Sequence, residues 1–259
     1  MVNSQNDATF SGDEPLQFKR KFRNVFVAVA ESRSFGIPLI MQRAPQTQVI
    51  LLDDAFQHRS VKPGLNILLT EFDLPYTQDL LIPAGRLREH VSSASRADII
   101  IVSKCPEQMG LDDKNQFESE LKLEQNQKLF FSYYDYQLPY FIFDKNIKKP
   151  LSKEVKVVVL AAIAKMDYLL SYLDENVEVI NTVKFEDHHY FSEQEMGRLS
   201  LMMDEYKEEE IIILTTEKDA IRLELHRDYI LEQALSIFCL LYTSPSPRDQ
   251  RGTRMPSSA

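Results

Sequence analysis

Short apolar runs alternate with longer mixed segments along the chain. Seven of these runs are nearly continuous in hydrophobicity, which is typical of parallel strands buried on both faces. They are residues 25–29, 49–52, 65–69, 99–102, 129–133, 155–160 and 211–214. Charged segments with helical spacing predict helices over residues 111–125, 166–173 and 192–206. Strands that alternate with helices favour an α/β fold with a parallel sheet.

A polar, lysine-rich segment that closes with a proline, residues 144–150, indicates a boundary between two units. We expect the first unit to cover residues 1–149 and the second to cover residues 150–238. The final stretch differs, because its first eleven residues, CLLYTSPSPRD, resemble an in-frame translation of a transposase-type sequencing adapter. We therefore expect residues 239–259, Cys239 included, to be a non-biological tail.

The composition narrows the class of protein. A formal net charge of -9 over 259 residues argues against a generic nucleic-acid binder, because phosphate backbones are bound by clustered Lys and Arg. Two distant cysteines, Cys105 and Cys239, favour a reducing compartment over a disulfide framework. The start of the sequence shows no secretory signal, and no apolar run approaches the roughly 20 residues that cross a bilayer. Any membrane contact is expected to be peripheral or to use a segment outside this sequence.

Two adjacent carboxylates, Asp53 and Asp54, follow the apolar run at residues 49–52. In an open parallel sheet, ligands bind beyond the carboxyl ends of the strands, and carboxylates there commonly hold Mg²⁺ in phosphoryl-transfer enzymes. An Asp after an apolar strand is equally typical of a turn or a helix cap. The sequence that follows, AFQHR, includes Gln57 and His58, which could order a phosphate or a metal-bound water.

The order of several motifs resembles that of the bacterial lipid A 4'-kinase (tetraacyldisaccharide 4'-kinase) family. The motifs are GDEP at 12–15, DDAFQHR at 53–59, IPAGRLRE at 82–89, SRADIIIVSKCP at 95–106, FEDHHYFS at 185–192 and TEKD at 216–219. The resemblance implies a P-loop NTPase-like parallel sheet flanked by helices, with a smaller C-terminal α/β lobe. It also implies a lipid kinase of lipid A biosynthesis that phosphorylates the 4'-hydroxyl of tetraacyldisaccharide 1-phosphate with ATP.

The resemblance assigns acid–base chemistry to Asp13 and His188. Asp13 would accept the proton of the attacking sugar hydroxyl, His188 would orient or tune Asp13, and Glu14 would bind substrate or phosphate. Each residue type also has a simpler interpretation. Asp13 shortly before Pro15 can open a helix, and the adjacent His188 and His189 can be surface polar residues.

The resemblance also assigns ligand contacts to the central motifs. It implies that Asp53 and Asp54 hold Mg²⁺. Substrate or phosphate would be bound by Gln57, His58, Arg86, Arg88 and Glu89. Arg86 and Arg88 alternate along their segment and could clamp phosphate oxygens bidentately, although they are also compatible with a solvated loop.

One motif of the family is not found. None of the seven glycines begins the Walker-A pattern G-x-x-x-x-G-K-[ST], whose amides and Lys bind the nucleotide phosphates. We therefore expect this chain to be an inactive fragment of a parent kinase that uses ATP and Mg²⁺. For the parent, the resemblance implies peripheral contact with the cytoplasmic face of the bacterial inner membrane, where the lipid A precursor lies.

Two alternatives to the kinase stay open. The Asp187-His188-His189 triplet is typical of manganese phosphoesterases of the Asp-His-His type, although that class needs further ligands of the Asp-x-Asp kind. The other alternative is a non-catalytic α/β fragment that only retains kinase sequence.

Overall fold

The structure is a computed structural model that describes residues 1–3, 5, 8–163, 165–206 and 210–243. The chain folds into two compact units. The six-stranded unit contains Met1–Val29 and Tyr136–Tyr242, and the three-stranded unit contains Ala30–Asp135.

Two helices open the chain in the six-stranded unit: α1 (Ala8–Ser11) and α2 (Asp13–Lys21). Gly12 separates them with a φ of 81°, a left-handed conformation that glycine adopts without strain. Pro15 lies in the first turn of α2, where its missing N–H leaves no helical hydrogen bond unmade. Leu16 is fully buried, so α2 is anchored by its first turns.

The three-stranded unit is built around a parallel sheet. Its elements are α3 (Arg33–Arg43), β1 (Ile67–Glu71), a 3₁₀ turn (Val91–Arg96), β2 (Ile99–Ser103), α4 (Leu111–Leu121) and β3 (Lys128–Phe131). The strand order is β1-β2-β3, and both pairings are parallel. Ile100 and Val102 of the central strand are fully buried and pack with Phe117 and Leu121 of α4.

The rest of the six-stranded unit alternates strands and helices. Its elements are β4 (Asp135–Tyr136), β5 (Tyr140–Phe141), β6 (Asp144–Lys148), β7 (Lys156–Ala161), α5 (Asp167–Asn176), β8 (Glu178–Lys184), α6 (Glu193–Asp204), β9 (Ile211–Thr216), α7 (Glu217–Leu223), a 3₁₀ turn (Glu224–His226), α8 (Arg227–Glu232), β10 (Ile237–Leu240) and β11 (Tyr242–Thr243). The sheet order is β6-β5-β10-β9-β7-β8. Strands β7 to β10 run parallel, whereas β5 and β6 are antiparallel additions at one edge.

The core of this unit lies on both faces of its sheet, as the period of two in a strand requires. Leu160 and Ile213 face Met196 and Leu199 of α6 on one side. On the other side, Val159 and Leu214 belong to the cluster that includes Leu169 and Leu173 of α5. Helices on both faces of a mainly parallel sheet confirm the α/β class.

Two of the predicted strands are not formed. Residues 25–29 and 49–52 join no sheet in the described residues, and Val29 and Leu51 are exposed. The Val27 carbonyl accepts a hydrogen bond from Val2 N at 2.9 Å. An apolar run becomes a strand only where a neighbouring strand forms hydrogen bonds with its backbone N–H and C=O groups. Hydrophobicity alone does not provide that neighbour.

The compact units also divide the chain differently from the expected boundary at residue 150. Strands β5 and β6 pair into the six-stranded sheet, so residues 136–149 belong with the C-terminal part of the chain. Strand β10 lies inside this sheet, and Cys239 is fully buried within it. Of the expected tail, residues 239–243 are described, whereas residues 244–259 lie outside the described residues.

Candidate active site

Asp13 is the first residue of α2 and is buried, with an exposed fraction of 8%. Its Oδ1 accepts a hydrogen bond from the backbone N–H of Glu14 at 3.0 Å. Its Oδ2 accepts a hydrogen bond from Nη2 of Arg222 and lies 3.4 Å from Nδ1 of His188. The structure therefore brings the two predicted catalytic residues together at one carboxylate oxygen.

The environment of Asp13 contains opposing effects on its ionisation. Burial by itself would raise the pKa of this carboxyl. The hydrogen bond and charge of Arg222, the backbone N–H of Glu14 and the charge of Lys218 outweigh burial, so the pKa lies below its usual range. Asp13 is consequently ionised at neutral pH and able to accept a proton.

His188 occupies a tight turn between β8 and α6. Its φ is 61°, and its backbone N–H donates to Oδ1 of Asp187 at 3.0 Å. Nε2 of its ring lies 3.2 Å from Nζ of Lys218, an ammonium that can only donate. Nδ1 lies 3.4 Å from Oδ2 of Asp13 and also 3.4 Å from Nη2 of Arg222. The His188 ring therefore contacts Asp13, Arg222 and Lys218.

Lys218 contacts several of the residues around Asp13 and His188. Its ammonium lies 3.1 Å from Oε1 of Glu14 and 3.2 Å from Oδ1 of Asp187. Glu14, predicted to bind substrate or phosphate, is therefore paired with Lys218. One ammonium therefore pairs with carboxylates from α2 and from the turn before α6.

Sequence reasoning identified the TEKD motif but assigned it no role. In the structure this motif starts α7 at the end of β9, where the Thr216 hydroxyl accepts from the Asp219 N–H and donates to its Oδ2. Arg222 lies one turn later and contacts both Asp219 and Asp13. The sequence signal for this ion pair was the spacing of three residues between Asp219 and Arg222, which places the two side chains on the same face of a helix.

In the three-stranded unit, Asp54 pairs with Arg88. Asp54 has a φ of 44°, and Nη1 of Arg88 donates to its Oδ2 at 3.2 Å while Nη2 donates to Oδ1. The hydrogen bonds and charge of Arg88 lower the pKa of Asp54 against a smaller opposing effect of burial. Arg88, which was predicted to bind phosphate, therefore contacts both carboxylate oxygens of Asp54, which was predicted to bind Mg²⁺.

A compact turn orients the arginine segment. The Leu87 N–H donates to the Leu80 carbonyl at 2.9 Å, and a side chain at Gly85 would come within 2.3 Å of that carbonyl oxygen, so only glycine fits. Nε of Arg86 donates to Oδ2 of Asp79 at 3.1 Å. Both predicted phosphate-binding arginines are therefore engaged by carboxylates.

The other predicted ligands of this unit differ in burial. Glu89 accepts a hydrogen bond from Arg96, whose guanidinium also lies 4.6 Å from the centre of the Phe56 ring. Oε1 of Gln57 is buried and has no hydrogen-bond partner in the described structure. His58 and Asp53 are exposed.

The donor set at Asp53 and Asp54 is compatible with Mg²⁺, which is often held by one or two carboxylates together with substrate phosphates and waters. Among the described residues, no group of three or more His, Cys, Asp or Glu side chains is arranged to hold a metal ion. The strand that was expected to present this pair is not formed over residues 49–52.

A family model described as Tetraacyldisaccharide-1-P 4'-kinase matches residues 1–246, which includes all the motifs above and the first residues of the expected tail. The chain belongs to this family. Among its relatives, the tetraacyldisaccharide 4'-kinase of Flavobacterium johnsoniae is 39% identical over 225 residues, covering 86% of this chain and 64% of the relative. That of Bacteroides fragilis strain YCH46 is 37% identical over 252 residues, covering 95% and 66%. The chain thus spans a little less than two thirds of the length of these relatives.

One solved structure is similar to this chain in fold. The crystal structure of LpxK from Aquifex aeolicus in complex with ATP matches with a TM-score of 0.64 at 24% sequence identity. The match covers 95% of this chain and 68% of that chain. The match shows that the two chains share an α/β fold.

Proposed function

We propose that the protein to which this chain belongs transfers the γ-phosphoryl group of ATP to the 4'-hydroxyl of tetraacyldisaccharide 1-phosphate. The observation that carries the proposal is the buried Asp13 carboxylate facing His188, within motifs of a family named for this reaction. An ionised, buried carboxylate beside an imidazole is suited to accept a proton from a sugar hydroxyl.

Asp13 acts as the general base in this proposal. As the 4'-oxygen attacks the γ-phosphorus, its proton passes to a carboxylate oxygen of Asp13. His188 orients this carboxylate through Nδ1, and Lys218 contacts the same ring at Nε2. Little covalent chemistry is asked of the protein, because phosphoryl transfer depends mainly on positioning and electrostatics.

The three-stranded unit supplies ligand contacts. Asp53 and Asp54 would hold Mg²⁺, which neutralises charge on the transferring phosphates when bound. Because Arg88 occupies both oxygens of Asp54, Asp53 is the more accessible of the two carboxylates. The proposed contacts of this unit to substrate or phosphate come from Gln57, His58, Arg86, Arg88 and Glu89, and Glu14 of the six-stranded unit is a further proposed contact. The two arginines would exchange their carboxylate partners for phosphate oxygens, which guanidinium groups bind in the same forked geometry.

The acceptor is a lipid, so the protein must meet a membrane surface. We propose peripheral contact with the cytoplasmic face of the bacterial inner membrane, as the family resemblance implies. In the part of the chain that the structure describes, no helix is both long enough and apolar enough to cross a bilayer.

The phosphoesterase alternative is less compatible with the geometry of the histidine pair. Nε2 of His189 lies 3.0 Å from Oε2 of Glu195, and its ring stacks on Phe185 with centroids 4.5 Å apart. His188 instead faces Asp13 and Lys218. The two rings therefore have separate partners and do not form a shared metal site.

The proposal is tested with the protein expressed from its complete reading frame. Purified protein, radiolabelled ATP, Mg²⁺ and tetraacyldisaccharide 1-phosphate should yield a lipid phosphorylated at the 4'-position. Asp13→Asn should lower kcat by about 10²–10⁴-fold, the usual contribution of a general base. Asp228→Asn, at an exposed position of the same unit, should leave kcat unchanged. A folded protein without lipid phosphorylation, or an Asp13→Asn variant with normal kcat, would contradict the proposal.

A further inference from the structure

The side chain of Arg222 is fully buried, although a guanidinium keeps its charge at any physiological pH. Nη1 donates to Oδ1 of Asp219 at 3.0 Å, and Nη2 donates to Asp13. Nε is buried without a hydrogen-bond partner. A buried ion pair rarely adds net stability over apolar side chains of similar volume. The charge at this position therefore calls for an explanation other than stability.

Asp219 anchors this arginine to the sheet. Its Oδ2 accepts hydrogen bonds from the Ala162 N–H at 3.1 Å and from the Thr216 hydroxyl at 2.8 Å. Ala162 follows β7 and Thr216 ends β9, and these strands are neighbours in the sheet. Arg222 thus connects a rigid point at two strand ends to the first residue of α2.

We propose that Arg222, anchored by Asp219, is a positioning residue that holds the Asp13 carboxylate in the orientation facing His188. This inference rests on the proposed function in one respect, namely that Asp13 is the base. The packing of α2 is consistent with it, because Leu16 and Ile221 form one buried cluster that keeps α2 and α7 together. The apolar cluster keeps the two helices together, and the bond from Arg222 fixes the carboxylate of Asp13 itself.

Other charged groups face the same carboxylate and must be considered in any titration. They come from three elements: Glu14 on α2, Asp187 and His188 before α6, and Lys218 on α7. Tyr190 lies with its ring centre 6.0 Å from the Arg222 guanidinium carbon. Arg222 differs from the other cation, Lys218, because it bonds Asp13 directly, whereas Lys218 bonds Glu14 and Asp187.

The test is a carboxyl-carbon NMR titration of Asp13 in the full 259-residue chain, which requires no kinase activity. In Arg222→Met, Asp13 stays buried but loses its bonded cation, so its titration midpoint should move to higher pH. Arg222→Lys keeps a charge without the fork and should give a smaller movement in the same direction. Arg20→Met removes a partly exposed cation that pairs with Glu224 and should leave Asp13 unchanged. An unchanged Asp13 midpoint in folded Arg222→Met overturns the proposal, and if that variant does not fold, Arg222→Lys decides by the same criterion.

A kinetic measurement on the complete protein separates positioning from a merely structural role. Arg222→Met should lower kcat about 100-fold with little change in KM, and the acid limb of its pH–rate profile should move to higher pH. Arg222→Lys should recover part of kcat. An unshifted acid limb in a folded variant counts against positioning. If the wild-type protein phosphorylates no lipid, the proposed function fails, while the NMR titration still decides whether Arg222 holds Asp13.

Discussion

A carboxylate meets a guanidinium in each of the two units, but the two pairs differ in burial. In the six-stranded unit, the side chains of Arg222 and Asp13 are exposed by 0% and 11%. In the three-stranded unit, those of Arg88 and Asp54 are exposed by 50% and 71%. The same chemistry is therefore found in a buried network and on a solvated surface.

The difference indicates what each pair can do. Removing one partner of a buried pair leaves the other charge without solvation, so the buried pair resists rearrangement. An exposed pair loses little when water replaces its partner. The first arrangement suits a carboxylate that must keep one orientation, and the second suits an arginine that exchanges a carboxylate for a phosphate.

The largest effect is expected from Asp219→Ala in the buried network. The substitution leaves Arg222 with one carboxylate fewer and removes the acceptor of the Ala162 N–H. The free energy of unfolding should fall by about 3–5 kcal/mol, measured by urea denaturation followed by circular dichroism. Glu232→Ala, an exposed change in the same unit, should alter it by no more than about 0.5 kcal/mol. A loss below about 1 kcal/mol for Asp219→Ala would show that the network is not tightly coupled.

A partly exposed carboxylate, Glu195, gives an intermediate case. It closes a capping box with Ser192 at the start of α6 and contacts His189. The backbone N–H of Ser192 and then the His189 ring lower the pKa of Glu195 to about 2. Because the folded-state pKa is lowered from 4.5, the stabilisation is present above that value and is lost as the pH falls towards 2.

Glu195→Gln should therefore lower the free energy of unfolding at pH 7 by about 0.3–1 kcal/mol, the usual value of a charge at a helix N-terminus. The difference from wild type should narrow as the pH is lowered to about 2.5, measured by thermal unfolding across this range. Glu205→Gln at the other end of α6 serves as the control and should show no such trend. A difference that stays constant with pH would assign the effect to packing instead of charge.

The smallest effect is expected at the exposed pair. Arg88→Ala should change the free energy of unfolding by about 0.5 kcal/mol or less, and 1 M NaCl should abolish the difference. A double-mutant cycle with Asp54→Asn measures the coupling between the two side chains directly. A coupling above about 2 kcal/mol would show that the Arg88–Asp54 pair is as strongly coupled as a buried pair, and the contrast with Arg222 and Asp13 would then be wrong.

Several elements were predictable because their signals are local. The sequence predicted helices at 111–125, 166–173 and 192–206, and α4, α5 and α6 occupy these segments. Strands β7 and β9 were also predicted, because every residue of β9 and all but the first of β7 are buried, which requires continuous hydrophobicity.

Other elements depend on partners that no local pattern contains. Residues 49–52 have a strand-like composition but form no strand, whereas β10 was not among the predicted strands and lies between β9 and β5. The sequence pointed to Asp13 and His188 through the family resemblance. It did not reveal Arg222, because a single arginine in a helix looks like a surface residue until its burial is known.

By itself, the sequence determined the α/β class and the family, through apolar runs and ordered motifs that can be read a few residues at a time. It also placed α6, which was predicted over residues 192–206 and covers Glu193–Asp204. Only the tertiary structure decided that Asp13 is bonded to Arg222, 209 residues away, and that Asp54 is bonded to Arg88 at the surface. The reason is physical: burial and ion pairing depend on which distant segments meet, and that depends on the packing of the whole unit.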